Sequence, residues 1–105
     1  MTLHLVTGAD DNYAPGVLVL IASAAWHNPG ARFTVLDMGI SAANRDRIDG
    51  LGRALGVAVT RIAIDEARLA ALPVVRAHLT RSTFLRLLIP ALMPDADRVI
   101  YMDCD

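Results

Sequence analysis

Several features that would define common protein classes are missing from this sequence. A single cysteine, Cys104, excludes an internal disulfide framework. Ten basic and 11 acidic side chains give a formal net charge of −1, and no basic run is present, so nucleic acid is not an expected partner. The longest apolar stretch, residues 17–26, is too short to span a bilayer, and no signal-peptide pattern begins the chain. We therefore expect a cytoplasmic protein without a transmembrane segment.

Familiar catalytic and nucleotide-binding motifs are also missing. The sequence contains neither G-x-G-x-x-G nor a P-loop. Its three histidines lack metal-ligand spacing, and we expect His4 to be a satisfied core or edge residue. Cys104 lies between two acidic residues, which disfavours a reactive thiolate. Trp26 and Phe33 are predicted to lie in the core.

The composition is that of a small folded domain. Hydrophobic residues make up 54% of the chain and the mean hydropathy is +0.42, which excludes a disordered protein. We expect one domain over residues 1–105. This apolar content is high for so small a domain. One interpretation is that some apolar surface belongs against a missing partner or segment, which would make the domain incomplete.

Four apolar or β-branched runs predict strands that alternate with helices. The strands are expected at residues 3–6, 32–36, 57–64 and 98–102, with residues 8–12 as a loop after the first. Alternation of this kind predicts an α/β fold, a Rossmann-like and mainly parallel sheet with helices on both faces.

The predicted helices have recognisable ends. Pro15 suits the first turn of an apolar helix that extends to Trp26 and should be buried. Ser41 is an expected N-cap for residues 42–55, and Gly56 an expected terminator. Two further predictions are a short turn over 65–72 and a helix that starts after Thr80 or Ser82, ends near residue 93 and bends at its internal proline.

An acidic motif, Asp103-Cys104-Asp105, follows the last predicted strand. Residues two apart on an extended chain point to the same side, and carboxylates that face one point repel each other unless a cation lies between them. Hard oxygen ligands suit Mg²⁺ or Mn²⁺, which could also take diphosphate oxygens. The alternative is a solvated acidic turn, because D-x-D often occurs by chance.

A second polar cluster follows the first predicted strand. Gly8 would let the backbone approach a ligand closely. Asp10 and Asn12 offer polar groups for a nucleobase edge or a ribose, and Tyr13 offers a flat face for stacking. Alternatively, this segment is a polar loop that caps a helix, with Asn12 as the cap. Ligands in open α/β sheets sit outside the carboxyl ends of the strands, so the two clusters share one crevice if their strands are neighbours.

Arg86 lies in an otherwise apolar stretch, FLRLLI. Its fork of donors suits a phosphate. Alternatively, it buries its stem and extends its charged head to solvent.

With these residues in view, the sequence resembles the family of retaining glycosyltransferases that includes bacterial lipopolysaccharide galactosyltransferases and glycogenin. The match is carried by GADDNYA at 8–14, VLDMGIS at 35–41, STFLRL at 82–87 and VIYMDCD at 99–105.

The resemblance implies the N-terminal part of a GT-A domain that takes a UDP-hexose and a glycan or lipopolysaccharide-type acceptor. It places the uridine at Ala9, Asp10, Asn12 and Tyr13. It places the diphosphate and sugar near Arg86, a ribose contact at the Cys104 backbone, and Mn²⁺ or Mg²⁺ on Asp103 and Asp105. No catalytic residue is assigned. Members of this family continue beyond the D-x-D motif, where they supply a further metal ligand and the acceptor site, so we expect this chain to be inactive alone.

Two other functions compete with this one. The first is a non-catalytic module that binds a nucleotide or assembles with another chain by pairing or swapping exposed sheet edges. The second is a phosphatase-like enzyme with an aspartate nucleophile. That chemistry requires the motif early in the chain, whereas here it comes last.

Overall fold

The computed structural model of the chain describes residues 2–65, 67 and 88–104. The described strands are β1 (His4–Ala9), β2 (Arg32–Asp37), β3 (Ala58–Ala63) and β4 (Ile100–Tyr101). The described helices are α1 (Ala14–His27), which follows a 3₁₀ turn at Asp11–Tyr13, α2 (Ala42–Leu55) and the short α3 (Ile89–Leu92).

The strands form a four-stranded parallel sheet in the order β3-β2-β1-β4. β1 pairs with β2 from His4 opposite Arg32 to Ala9 opposite Asp37. On its other side it pairs with β4 through Leu5 and Ile100. The predicted α/β class and parallel sheet are confirmed. The chain moves outward from β1 to β3 and then returns to the other side of β1.

Side chains alternate between the two faces of the sheet, and each face has its own core. On one face, Leu5 and Phe33 pack with the buried positions of α1 and with Ile48 of α2. On the other, Val6 and Leu36 pack with residues of α3 and its flanks. Helices therefore cover both faces, as the alternation of strands and helices predicts.

The ends of α2 follow the local chemistry of the sequence. Ser41 has extended backbone angles, and its hydroxyl accepts from the backbone N–H of Asn44 at 3.3 Å. At the other end Gly56 has φ +68°, the left-handed conformation that glycine adopts without a steric penalty. Both predicted boundaries of this helix are confirmed.

β1 is longer than the sequence pattern predicts. Gly8 and Ala9, which composition placed in a loop, continue the ladder opposite Leu36 and Asp37. Ala9 is buried in the core. The prediction failed because glycine and alanine have weak strand preference, and the neighbouring strand, which composition does not reveal, supplies the pairing. β4, by contrast, is shorter than predicted.

The prediction that α1 is buried all round is wrong. Only Ala14, Val17 and Ile21 are fully buried, while Val19 is 68% and Trp26 82% exposed. One stripe of the helix packs on the sheet, and an apolar sequence does not by itself supply neighbours for the opposite side. The core assignment therefore fails for Trp26, whereas Phe33 is 3% exposed, as predicted.

His4 has a hydrogen-bond partner, as predicted, but it lies at the amino end of the inner strand β1 and not on an edge strand. Its Nε2 lies 2.8 Å from the hydroxyl of Thr34 on β2. Partial burial, helped by the nearby charge of Arg32, lowers the pKa of His4 below its usual value.

The predicted segments at 65–72 and 80–87 lie outside the described residues, apart from residues 65 and 67. Pro90 is in the first turn of α3 as described, where a missing N–H leaves no intrahelical bond unmade.

Candidate donor site

The carboxyl ends of β1 and β4 form the topological switch point of the sheet. β2 and β3 lie on one side of β1, and β4 lies on the other. Open α/β sheets bind ligands in the crevice at such a point, outside the carboxyl ends of the strands. The backbone N–H of Met102 donates to the carbonyl of Val6 at 2.9 Å. The two predicted polar clusters therefore leave the sheet side by side.

The loop after β1 turns immediately into helix. Asp10 is extended, and its Oδ1 accepts from the backbone N–H of Tyr13 at 3.3 Å. Asp10, and not Asn12, therefore caps the 3₁₀ turn. Asn12 is exposed and makes no side-chain hydrogen bond within residues 2–65 or 88–104. Tyr13 is 50% exposed, so its ring has a free surface on which a base could stack.

Gly8 and Ala9 can contribute only backbone atoms to a ligand. The side chain of Ala9 is buried in the core, and its carbonyl accepts from the N–H of Met38 at 2.9 Å. The carbonyl of Gly8 faces the thiol of Cys104.

Asp11 holds the loop after β1 in place through hydrogen bonds to the start of α2. Its Oδ1 accepts from the backbone N–H of Ser41 at 2.8 Å and from the side-chain amide of Asn44 at 2.9 Å. The hydrogen bond from the Ser41 backbone, followed by that from Asn44, lowers the pKa of the Asp11 carboxyl below its usual value. Asp11 therefore fixes the first loop against the start of α2. Sequence reasoning did not select it, because nothing local distinguishes it from Asp10.

Asp37 shapes the neighbouring loop at the end of β2. Its Oδ1 accepts from the backbone N–H groups of Gly39 at 2.9 Å and Ile40 at 2.7 Å, and the residue is 7% exposed. The pattern of aspartate, any residue and glycine after a strand is a recognisable turn motif, and it could have identified this role.

The described part of the acidic motif is Asp103 and Cys104. Asp103 is exposed and makes no hydrogen bond or ion pair with another described residue. The thiol of Cys104 lies 3.6 Å from the carbonyl oxygen of Gly8 and 3.9 Å from that of Tyr13. Cys104 thus joins the loop after β4 to the loop after β1.

A hard cation fits the chemistry of Asp103, a carboxylate left open to solvent at an acidic edge. Within the described ranges, no group of three or more acidic, histidine or cysteine side chains could hold a metal. Coordination would therefore need oxygens from elsewhere. Two predicted site residues, Arg86 and Asp105, lie outside the described residues.

Two cavities lie away from this crevice. One, of about 510 Å³, is at the amino ends of β1 and β4 and includes His4, Arg32 and Arg98. The other, of about 310 Å³, lies between α2 and β3 beside Asp49 and Arg61. Neither contains a predicted donor residue.

Comparison with known proteins assigns the family. The sequence matches Glycosyl transferase family 8 over residues 4–105, and the chain belongs to this family. The resemblance drawn from the four motifs is confirmed. None of the curated proteins searched matches the chain significantly.

Solved structures agree with the fold. Galactosyltransferase LgtC, in complex with donor and acceptor sugar analogues, is 35% identical with a TM-score of 0.80, and an active-site mutant of LgtC is 35% identical with a TM-score of 0.79. Each comparison covers 98% of this chain and 38% of the LgtC chain. The bifunctional glycosyltransferase WbbM in its apo form is 31% identical, with a TM-score of 0.74, over 98% of this chain and 18% of WbbM.

This chain therefore has a GT-A-like fold and spans less than two fifths of the length of LgtC. None of its described helices combines the length and apolar character that a membrane crossing needs.

Proposed function

We propose that this chain is the donor-binding part of a retaining glycosyltransferase. The reaction would transfer a hexose from a UDP-sugar to a hydroxyl of a glycan or lipopolysaccharide-type acceptor. The observation that carries the proposal is the pairing of β1 with β4, because the loops with Asp10, Tyr13 and Asp103 then follow two neighbouring strands. Membership of a glycosyltransferase family supports the same chemistry. Residues 1–105 would act as one domain, and a single cysteine fits a cytoplasmic protein.

The first loop would hold the nucleoside. The backbone at Gly8 and Ala9, together with Asp10 and Asn12, would hydrogen-bond the base and ribose, and Tyr13 would stack on the base. The hydrogen bonds that join Asp11 to Ser41 and Asn44 keep these groups in place before the ligand arrives, which reduces the entropy lost on binding. Asp37 shapes the loop that leads to Ser41.

The second loop would hold the diphosphate through a cation. Asp103 and Asp105 would bind Mn²⁺ or Mg²⁺, and the Cys104 backbone would contact the ribose. A cation there neutralises the charge that develops on departing UDP. Arg86 would pair with the diphosphate or the sugar.

The experiment is a calorimetric titration of the chain with UDP in the presence of Mn²⁺. We expect Asp10→Ala to weaken binding by roughly tenfold or more, the loss typical of a ligand hydrogen bond to a charged group. Asp95→Ala is the matched control, since this exposed carboxylate lines the cavity at the opposite end of the sheet. Equal binding by both variants would contradict the proposed nucleoside site.

Turnover is a separate matter from binding. The wider family places a further metal ligand and the acceptor site later in the chain, so we expect this chain alone to show negligible UDP-sugar hydrolysis with Mn²⁺. Hydrolysis that disappears on Asp103→Ala would show that the half-site is already active.

The alternative is a module that binds nucleotide or assembles without catalysis. The exposed apolar side of α1, with Val19 and Trp26, favours assembly. Light scattering tests assembly, and the UDP titration tests nucleotide binding. A strict monomer that binds no UDP would exclude both forms of this alternative.

A further inference from the structure

Gly16 lies where α1 passes closest to the acidic motif. It is in the first turn of α1, a place where alanine would be the better helix former. A methyl group on its Cα would collide with the carbonyl oxygen of Cys104. It would also lie 3.1 Å from the carbonyl carbon of Cys104 and 3.6 Å from its Cβ. Only glycine lets these two backbones approach so closely.

The thiol of Cys104 makes a second contact with the same part of the fold. Sγ lies 3.6 Å from the Gly8 carbonyl oxygen and 3.9 Å from the Tyr13 carbonyl oxygen. The peptide and the side chain of Cys104 are therefore both seated against the β1 loop and the start of α1. Asp103 is the adjacent residue, so the packing of Cys104 fixes the position of the Asp103 backbone, from which the carboxylate extends.

We infer that Gly16 is a positioning residue for the acidic motif. Its missing side chain lets the Cys104 peptide pack on the first turn of α1, which fixes Asp103 relative to the loop that carries Asp10 and Tyr13. The consequence for donor binding rests on the proposed function, whereas the consequence for the position of Cys104 does not.

The test compares Gly16→Ala with Gly50→Ala. Both substitutions replace a helical glycine, but a methyl group at Gly50 would meet only the guanidinium of Arg53, at an ordinary 3.7 Å. Cys104 is the only cysteine in the chain, so the rate at which an aromatic disulfide modifies the folded protein reports on this one thiol.

Displacement of Cys104 should expose its thiol. We expect Gly16→Ala to be modified roughly tenfold faster than the wild type, the change that corresponds to ~1.4 kcal/mol, and Gly50→Ala to react at the wild-type rate. An unchanged rate in Gly16→Ala would overturn the inference whether or not the chain binds UDP.

A second measurement separates positioning from mere packing. In UDP titrations, Gly16→Ala should weaken Mn²⁺-dependent binding by roughly tenfold or more, while Gly50→Ala binds like the wild type. Faster thiol modification with unchanged binding would overturn the role in the donor site. Failure of the wild type to bind UDP would contradict the proposed function, and the thiol rate would still decide the contact.

A Gly16→Ala variant that fails to fold also decides the contact. The three nearest atoms that its methyl group would meet all belong to Cys104. Loss of cooperative unfolding in Gly16→Ala, with Gly50→Ala unfolding like the wild type, would therefore support the contact. Unchanged stability together with an unchanged thiol rate would contradict it.

Discussion

The adjacent aspartates Asp10 and Asp11, in the loop after β1, have different structural roles. Asp10 caps the 3₁₀ turn that follows it, while Asp11 reaches Ser41 and Asn44 some 30 residues away in sequence. Composition and spacing predicted a polar loop here that either binds a ligand or caps a helix. They could not divide the roles, because the partner of Asp11 is brought near only when β2 pairs with β1.

Asp11 should make stability depend on pH. Its pKa in the folded state is lowered by hydrogen bonds from Ser41 and Asn44. A depressed carboxyl pKa contributes stability above the unfolded value, near ~3.9, and that contribution is lost as pH falls through the folded value. We expect Asp11→Ala to unfold at lower urea concentration than the wild type at pH 7, with the difference closing at acid pH.

Asp95→Ala is the control for this comparison, since its exposed carboxylate makes no hydrogen bond to another described residue. A gap between wild type and Asp11→Ala that persists undiminished below the folded pKa would show that the bond to Asp11 does not depend on its charge.

Truncation of Trp26 and of Phe33 should change the stability of the fold by very different amounts, although the sequence predicts that both lie in the core. Trp26 is 82% exposed and Phe33 is 3% exposed. We expect Trp26→Ala to change the free energy of unfolding by less than ~0.5 kcal/mol and Phe33→Ala to cost about 3–5 kcal/mol.

Fluorescence gives an independent check, because Trp26 is the only tryptophan in the chain. A soluble quencher should reach the wild-type indole freely. A shielded indole, or a large loss of stability in Trp26→Ala, would contradict an exposed outer side of α1.

At the scale of elements, boundaries set by local chemistry were predictable and those set by pairing were not. Ser41 and Gly56 mark the ends of α2 because a hydroxyl cap and a left-handed glycine act within one turn. The extension of β1 through Ala9 depends on β2. The exposure of one side of α1 depends on which elements pack beside it. The apolar sequence of the helix does not show which of its sides has such a neighbour.

α2 is tied to β3 by an ion pair. Arg61 donates to both carboxylate oxygens of Asp49, at 3.0 and 2.9 Å, and its Nη1 lies 3.9 Å from Asp37. Its hydrogen bonds lower the pKa of Asp49, and Asp49 in turn raises that of Arg61. The side chains of Asp49 and Arg61 are 32% and 27% exposed, respectively. Solvent therefore weakens their attraction, even though two hydrogen bonds join them.

A double-mutant cycle with Asp49→Ala and Arg61→Ala should give a coupling of about 0.5–1 kcal/mol at neutral pH. The coupling should shrink in high salt and vanish as pH falls through the lowered pKa of Asp49. A cycle that closes to zero at low salt would show that this pair does not hold α2 on β3.

At the scale of the whole molecule, the alternation of strands and helices predicted a parallel sheet but not its order. The shared crevice required β1 and β4 to be neighbours, and the order β3-β2-β1-β4 meets that condition. Family motifs supplied the expected roles of Asp103 and Tyr13. The packing of Cys104 against Gly16 was not predictable from the sequence. The two residues are 88 positions apart, and their contact depends on how closely the two backbones approach.

The location of the metal–nucleotide site is the central claim, and paramagnetic broadening of amide resonances by Mn²⁺ tests it most directly. With UDP present, substoichiometric Mn²⁺ should broaden residues 10–13 and 102–104 at the carboxyl ends of β1 and β4, and Mg²⁺ should not broaden them. His4, Arg32 and Arg98, at the amino ends, should keep sharp signals. Broadening centred on those three residues, or spread evenly over the chain, would contradict a donor site at the switch point.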